Sequence, residues 1–257
     1  MENKAVTYRI EDAVGVITLH RPERLNAING DLLQGLMSRL EAAGSDEAVR
    51  SVVLTGAGTS FCAGEDLKET SAGKTMEAWR WEIDRLQDTQ RAILRLGKPL
   101  VAAIKGYALG GGLEFALGCD VRFAATDARF GFPETGVGLT ITGAGTKLIT
   151  QIVGLGKAKE LVFSGEFIDA QEALRIGLVN RVVEPSVLET EAIRFCRKIN
   201  ENSPLSLRLS RMALDLGMHL SFEEILEVEA AHLFSCVAAG NQEEWVRKKM
   251  DRMKKDR

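Results

Sequence analysis

Histidine and cysteine are scarce in this chain. Its 257 residues contain three histidines, His20, His219 and His232, and four cysteines, Cys62, Cys119, Cys196 and Cys236. The cysteines are far apart and form no C-x-x-C pair, so neither a zinc ribbon nor a redox dithiol is written here. A disulfide framework does not suit a chain of this size. No histidine has a second histidine or a cysteine at ligand spacing, so all three read as surface or core residues and no metal site is expected. The same scarcity removes most nucleophilic triads, which need a histidine base beside a serine or cysteine. Chemistry here must run on carboxylates or on the backbone. No apolar run approaches the ~20 residues that cross a bilayer. MENKAVTYRIED at the amino end has the pattern of neither a signal nor a transit peptide, so the expected location is the cytoplasm, with no membrane partner. The basic excess of a nucleic-acid binder is also missing: 33 Lys and Arg against 36 Asp and Glu leave a net charge of −3, and no nucleic-acid partner is expected.

The chain has what an ordinary globular protein needs. Apolar residues make up 45% and charged residues 27%, and a chain of this length buries about 70–75% of its unfolded surface. Val14 to Leu19, Ser51 to Thr55, Leu100 to Ile104 and Val121 to Ala125 are short β-branched or apolar runs bounded by turn residues, and they read as strands. Between them, Leu32, Leu33, Leu36, Met37 and Leu40 recur at helical spacing, with Asp31 expected as the cap and Gly44 as the stop. Residues 76–96 form a longer helical stretch that Gly97-Lys98-Pro99 breaks. Trp79 and Trp81 within it read as core packing in preference to a cavity wall. Strands alternating with helices predict an α/β core with parallel neighbours. After Glu184-Pro185 no strand pattern remains, and three or four amphipathic helices are expected, one after Ser203-Pro204 and another after Ser221. The stretch 247–257, with seven Lys or Arg and two Asp, reads as a solvated helix face.

Two glycine-rich loops follow strands. One is Phe61-Cys62-Ala63-Gly64-Glu65-Asp66-Leu67-Lys68; the other is Gly106-Tyr107-Ala108-Leu109-Gly110-Gly111-Gly112-Leu113-Glu114. Neither is a Walker loop, since no Lys-Ser/Thr ending follows, and Gly136 to Gly145 does not keep a dinucleotide-binding register. Taken singly, each loop also reads as a tight turn. A glycine turn opening a helix nevertheless lets a ligand reach unpaired backbone amides that stabilise negative charge. Glu114 lies within one turn of the presumed helix start, and Glu134 lies in Arg129-Phe130-Gly131-Phe132-Pro133-Glu134, among apolar neighbours. Each alone also reads as a surface or capping residue. As a pair in partly apolar surroundings they can hold a water and divide acid and base roles.

FCAGEDLKE (61–69), GYALGGGLEFALGCD (106–120) and ARFGFPETGVGL (128–139) together resemble the enoyl-CoA hydratase/isomerase, or crotonase, superfamily. HRPERLNAI (20–28) and VGLGKAKELVFSGEFIDAQEALRIGLVNRVV (153–183) extend the likeness over about residues 5–235. The resemblance implies an α/β spiral of β-β-α turns over 1–190, and a helical region over 191–257 that packs oligomers and closes the coenzyme A site. It implies an oxyanion hole made by the backbone N–H groups of Glu65 and Gly111. Glu114 would activate water and Glu134 would protonate Cα. Arg24, Leu25 and the run Ala63, Gly64, Glu65, Asp66, Leu67 and Lys68 would hold coenzyme A, with Gly111 at the thioester. The implied reaction is reversible syn hydration of a trans-2-enoyl-CoA. No cofactor is implied, because coenzyme A is part of the substrate, and the implied partner is a second copy of the chain in a homotrimer or dimer of trimers. A Δ3,Δ2-enoyl-CoA isomerase is the main alternative, followed by other lyases and hydrolases of the superfamily. A non-catalytic RNA-binding relative is disfavoured by the acidic balance and by the glutamate pair. The chain departs from common hydratase sequences at Glu65, where a small residue is frequent, at Thr140–Lys147, and in EEWVRKKMDR (243–252).

Overall fold

The computed structural model describes residues 4–240 and 242–255. Residues 1–3, 256 and 257, at the ends of the two expected regions and of the basic tail, lie outside the described residues. The chain opens with a hairpin, β1 (Val6–Glu11) and β2 (Val14–Leu19), closed by Asp12 and Ala13 in left-handed conformation. Helix α1 (Gly30–Ser45) leads to β3 (Ser51–Gly56). The cap of α1 is Asn29, and not Asp31: Asn29 is extended, and its side chain accepts the amide of Leu32. Asp31 is already inside the first turn, where its charge suits the positive helix end. The short α2 (Leu67–Ser71) and the long α3 (Met76–Leu94) follow.

Next come β4 (Leu100–Ile104), β5 (Tyr107–Leu109) and α4 (Gly111–Gly118), then β6 (Val121–Ala125), β7 (Arg129–Gly131) and α5 (Gly145–Val153). The chain continues through α6 (Leu155–Ser164), β8 (Ile168–Asp169), α7 (Ala170–Arg175) and β9 (Arg181–Val183). Helices α8 (Leu188–Ile199), α9 (Pro204–Gly217), α10 (Phe222–Ala238) and α11 (Gln242–Lys255) close it. The larger sheet runs β1-β2-β3-β4-β6-β9 and is parallel from β2 onward. A second small sheet, β5-β7-β8, is fed alternately from it. The units β4–β5–α4 and β6–β7–α5 are successive β-β-α turns, so the α/β spiral implied by the resemblance is present.

Both faces of the sheet are covered at β2, β3 and β4, which explains why these strands are almost wholly apolar. Residues alternate between two cores. Ile17, Leu19, Val52, Leu54, Ala102 and Ile104 face the larger core, which also holds Leu32, Leu36 and Phe115. Val14, Val16, Val53, Val101 and Phe123 face the smaller one, covered by Leu188, Ala192, Ile193 and Cys196 of α8. Helix α8 straddles residue 190 and packs on the sheet, whereas α9 and α10 bury no residue of their own. Among the described side chains of 247–257, all are exposed, as a solvated helix requires. No helix among the described residues is long and apolar enough to cross a membrane.

Candidate active site

The two glycine loops meet where β3 and β4 end. Isolated bridges join Ile28 to Glu65 and Cys62 to Ala108, and the amide of Ile28 donates to the Gly64 carbonyl over 2.7 Å. Buried Asn26 fixes the early loop: its side chain accepts from the Arg21 amide and donates to the carbonyls of Ala57 and Ser60. Gly64 has φ +83°, and a Cβ there would stand 2.6 Å from the Leu109 carbonyl oxygen and 3.6 Å from the Gly111 nitrogen. Only glycine satisfies both restraints, and the approach sets the Gly64–Glu65 peptide beside Gly111. Among the described residues, no acceptor meets the N–H of Glu65 or of Gly111. Gly111 opens α4, so its amide is unpaired by helix geometry. Two neighbouring free N–H groups, with a helix behind one of them, can both donate to a single oxygen that carries negative charge.

Both predicted glutamates stand at this site. Glu114 is 1% exposed, and its Oε1 accepts from the amides of Gly143 (2.6 Å) and Gly145 (2.9 Å). Burial raises its pKa, opposed by those amides and that of Thr142. Glu134 sits in a turn at Pro133–Val137, with its carboxyl packed against Gly110, where a Cβ would be 2.7 Å from Oε1. Gly110 has φ +49° and must therefore be glycine twice over. Oε2 of Glu134 is buried and has no hydrogen-bond partner. Burial first, and then the neighbouring Glu114 charge, push Glu134 up to about 7. One carboxylate is thus clamped by the amides of Gly143 and Gly145, and the other has lost water without gaining comparable donors. Such unequal pairs separate a base from an acid.

A cavity of about 530 Å³ opens over this group, bounded by the hole and both glutamates on one side and by Trp79, Ile83 and Leu86 of α3 on the other. Of the residues expected to hold coenzyme A, Ala63, Gly64, Glu65, Leu67 and Gly111 border it. Arg24, Leu25, Asp66 and Lys68 do not. Asp66 is instead buried, capping α2 through the Lys68 amide and pairing with Arg21 over 3.3 Å. Neither tryptophan enters the core: Trp79 lines the cavity, and Trp81 is 53% exposed. The helix face that repeats 79, 83 and 86 is turned to the cavity, so periodicity identified an apolar stripe without saying what it covers. At Glu65, where the chain departs from common hydratase sequences, the side chain turns away to Thr70 and Lys74 and leaves the amide free. Sequence reasoning missed the amides of Gly143 and Gly145 and the ion pairs of Lys74. Gly-Ala-Gly at 143–145 was the available sign of the first, with Ala144 at φ +67°; a lone lysine before a helix gives no sign of the second. Cys62, Cys119 and Cys196 are buried free thiols, and among the described residues no cluster of His, Cys, Asp or Glu could hold a metal ion.

The enoyl-CoA hydratase/isomerase family profile matches residues 9–252. A short-chain-enoyl-CoA hydratase of Clostridium acetobutylicum is 41% identical over 245 residues, covering 95% of this chain and 94% of the relative. A crotonyl-CoA hydratase of Syntrophomonas wolfei is 39% identical over 236 residues, covering 91% and 90%. Among solved structures, an enoyl-CoA hydratase from Bacillus anthracis superposes with a TM-score of 0.93 at 34% identity, covering 96% of each chain.

Proposed function

We propose, from the premise that this chain belongs to the enoyl-CoA hydratase/isomerase family, that it is an enoyl-CoA hydratase adding water reversibly and syn to a trans-2-enoyl-CoA. The observation that carries this is the pairing of two carboxyl groups of unequal environment beside two unpaired amides in one cavity. The thioester oxygen accepts from the N–H groups of Glu65 and Gly111, which draws electron density from Cβ. Glu114 takes a proton from water as its oxygen bonds to Cβ. The resulting enolate is held by the same amides, and Glu134 gives its proton to Cα. Overall one O–H bond of water and the C=C π bond break, one C–O and one C–H bond form, and the product is a 3-hydroxyacyl-CoA; the proton left on Glu114 returns through solvent to Glu134 before the next turnover. Proton transfers suffice, so the reading requires no metal or redox group. An isomerase needs one base and no bound water, and the second glutamate favours hydration.

Arg24, Leu25 and residues 63–68 are assigned to the coenzyme A portion, whose binding energy orients the acyl end. Residues 1–190 form the catalytic unit in this reading, and 191–257 serve assembly and help to close the coenzyme site. Leu214, Phe222, Leu233 and Phe234 of α9 and α10 are strongly exposed, and such a patch suits a symmetric interface; a homotrimer or dimer of trimers in the cytoplasm is the proposed state. The test is to incubate the purified protein with 2-enoyl- and 3-enoyl-CoA thioesters and follow products by mass. Gain of one water by the 2-enoyl substrate is expected. Conversion of 3-enoyl-CoA without water uptake, and no hydration, would overturn the assignment in favour of isomerisation.

A further inference from the structure

Glu65 and Glu82 line the cavity, joined to each other through Lys74, and the reaction just proposed makes no use of these three side chains. Lys74 lies directly after Gly73 and two residues before α3. Its Nζ donates to Oε1 of Glu65 and to Oε2 of Glu82, each over 2.5 Å, and stands 4.7 Å above the Trp79 ring. Thr70 donates to the same Glu65 oxygen. The side chains of Lys74 and Glu82 are 11% exposed and that of Glu65 is 21% exposed, so the group is largely shielded from water, and Oε1 of Glu82 is buried without a hydrogen-bond partner. Burial raises the Glu82 carboxyl to about 7, which lets the cluster hold a proton and approach neutrality.

Its place along α3 is defined. Leu86 is level with the reacting groups, since a Cβ on Gly143 would stand 2.9 Å from Leu86 Cδ2 and 3.1 Å from Glu114 Cδ. Glu82 is four residues nearer the helix start, about 6 Å away along the axis. An acyl chain that leaves the glutamates along α3 therefore passes Leu86 and Ile83 and then meets charge. Apolar side chains reward each methylene. The cluster does the reverse, because alkyl groups strip its remaining water and return no hydrogen bond.

We infer that the Glu65–Lys74–Glu82 bridge is the end stop of the acyl pocket and restricts the enzyme to short 2-enoyl chains. This rests on the hydratase reading. Lys74 and Glu82 are then specificity-determining residues, and Glu65 acts twice, through its amide on the oxyanion and through its carboxylate on the stop.

The experiment compares kcat/KM for crotonyl-, hexenoyl-, octenoyl- and decenoyl-CoA in the wild type, in Lys74→Met/Glu82→Leu, and in Glu82→Gln. The octenoyl-to-crotonyl ratio is the readout, because damage to the shared oxyanion hole cancels in it. In the wild type that ratio should be at most about one tenth, and the apolar double variant should raise it by at least about tenfold. Glu82→Gln keeps the wall polar and should leave the ratio within about twofold of the wild type. A flat wild-type profile overturns the inference without any variant, which covers a double variant that fails to fold. So does an unchanged ratio in a folded double variant, or a preference for an acyl chain ending in a hydroxyl or carboxylate over an alkyl chain of equal length. If no chain is hydrated by the wild type, the hydratase reading itself fails and takes this inference with it.

Discussion

The amide of Gly143 donates to Oε1 of Glu114 over 2.6 Å, and Gly145 adds a second bond to the same oxygen. One oxygen of the carboxylate is thereby committed to the backbone, and the other is left to act on water. Glu114→Gln keeps an acceptor for both amides and removes the base. We predict an unchanged melting temperature and a kcat for crotonyl-CoA hydration lower by ~10²–10⁴-fold. Near-normal turnover in the folded variant would remove Glu114 from the mechanism.

Glu134 must be protonated to serve as the acid, and its carboxyl titrates at about 7 instead of 4.5. Hydration should therefore decline as pH rises through that value. Stability should move in the same direction. With its folded pKa raised, Glu134 favours the folded protein fully below 4.5, and that contribution is lost as pH rises through about 7. Glu134→Gln removes the cost at high pH. We expect it to be on the order of 1–2 kcal/mol more stable than the wild type at pH 8, after allowing for partial solvent access, and equal to it near pH 4. Denaturant titrations at the two pH values measure this; equal stability at both would show that the carboxyl is not strained by burial.

Gly64→Ala places a methyl group against the Leu109 carbonyl at a φ that alanine rarely adopts. The Gly64–Glu65 peptide must then rotate or shift, and the oxyanion loses one aligned donor. The expected loss is about 2.7–4 kcal/mol of barrier, seen in kcat with KM little changed. A folded variant with full kcat would place the thioester oxygen elsewhere.

The exposed rings on α10 test assembly. Phe222 and Phe234 are 87% and 70% exposed, and Phe222→Asp with Phe234→Asp should convert the proposed trimer or dimer of trimers to smaller species in sedimentation velocity, with the secondary structure retained. An unchanged mass would show that contacts between copies form elsewhere.

The long parallel strands were legible because a sheet buried on both faces demands apolar runs: β2 and β4 span the residues that the sequence pattern marks, and β3 exceeds its mark only by Gly56. The antiparallel edge strand β1, VTYRIE, was not, because most of its side chains are polar or exposed. The small sheet was not legible. Two- and three-residue strands such as Ile168–Asp169 and Tyr107–Leu109 carry no periodicity, and only their neighbours hold them extended. At the site, Gly64, Glu65, Gly111, Glu114 and Glu134 were readable from spacing after strands and from the resemblance. Asn29 was missed as a cap because Asp31 is an equally good capping type two residues on. Lys74 was missed because its partners, Glu65 and Glu82, are brought to it by the return of α3 across the loop, which local sequence does not encode.

Glu65 and Gly111 come from different crossovers of the chain, and the bridges Ile28 to Glu65 and Cys62 to Ala108 lace those crossovers together. No fraying of a single surface segment can separate the two donors; the ladder that registers them has to come apart. Loss of turnover in urea should accordingly track the cooperative collapse of the whole spiral, with no inactive yet native-looking form preceding it.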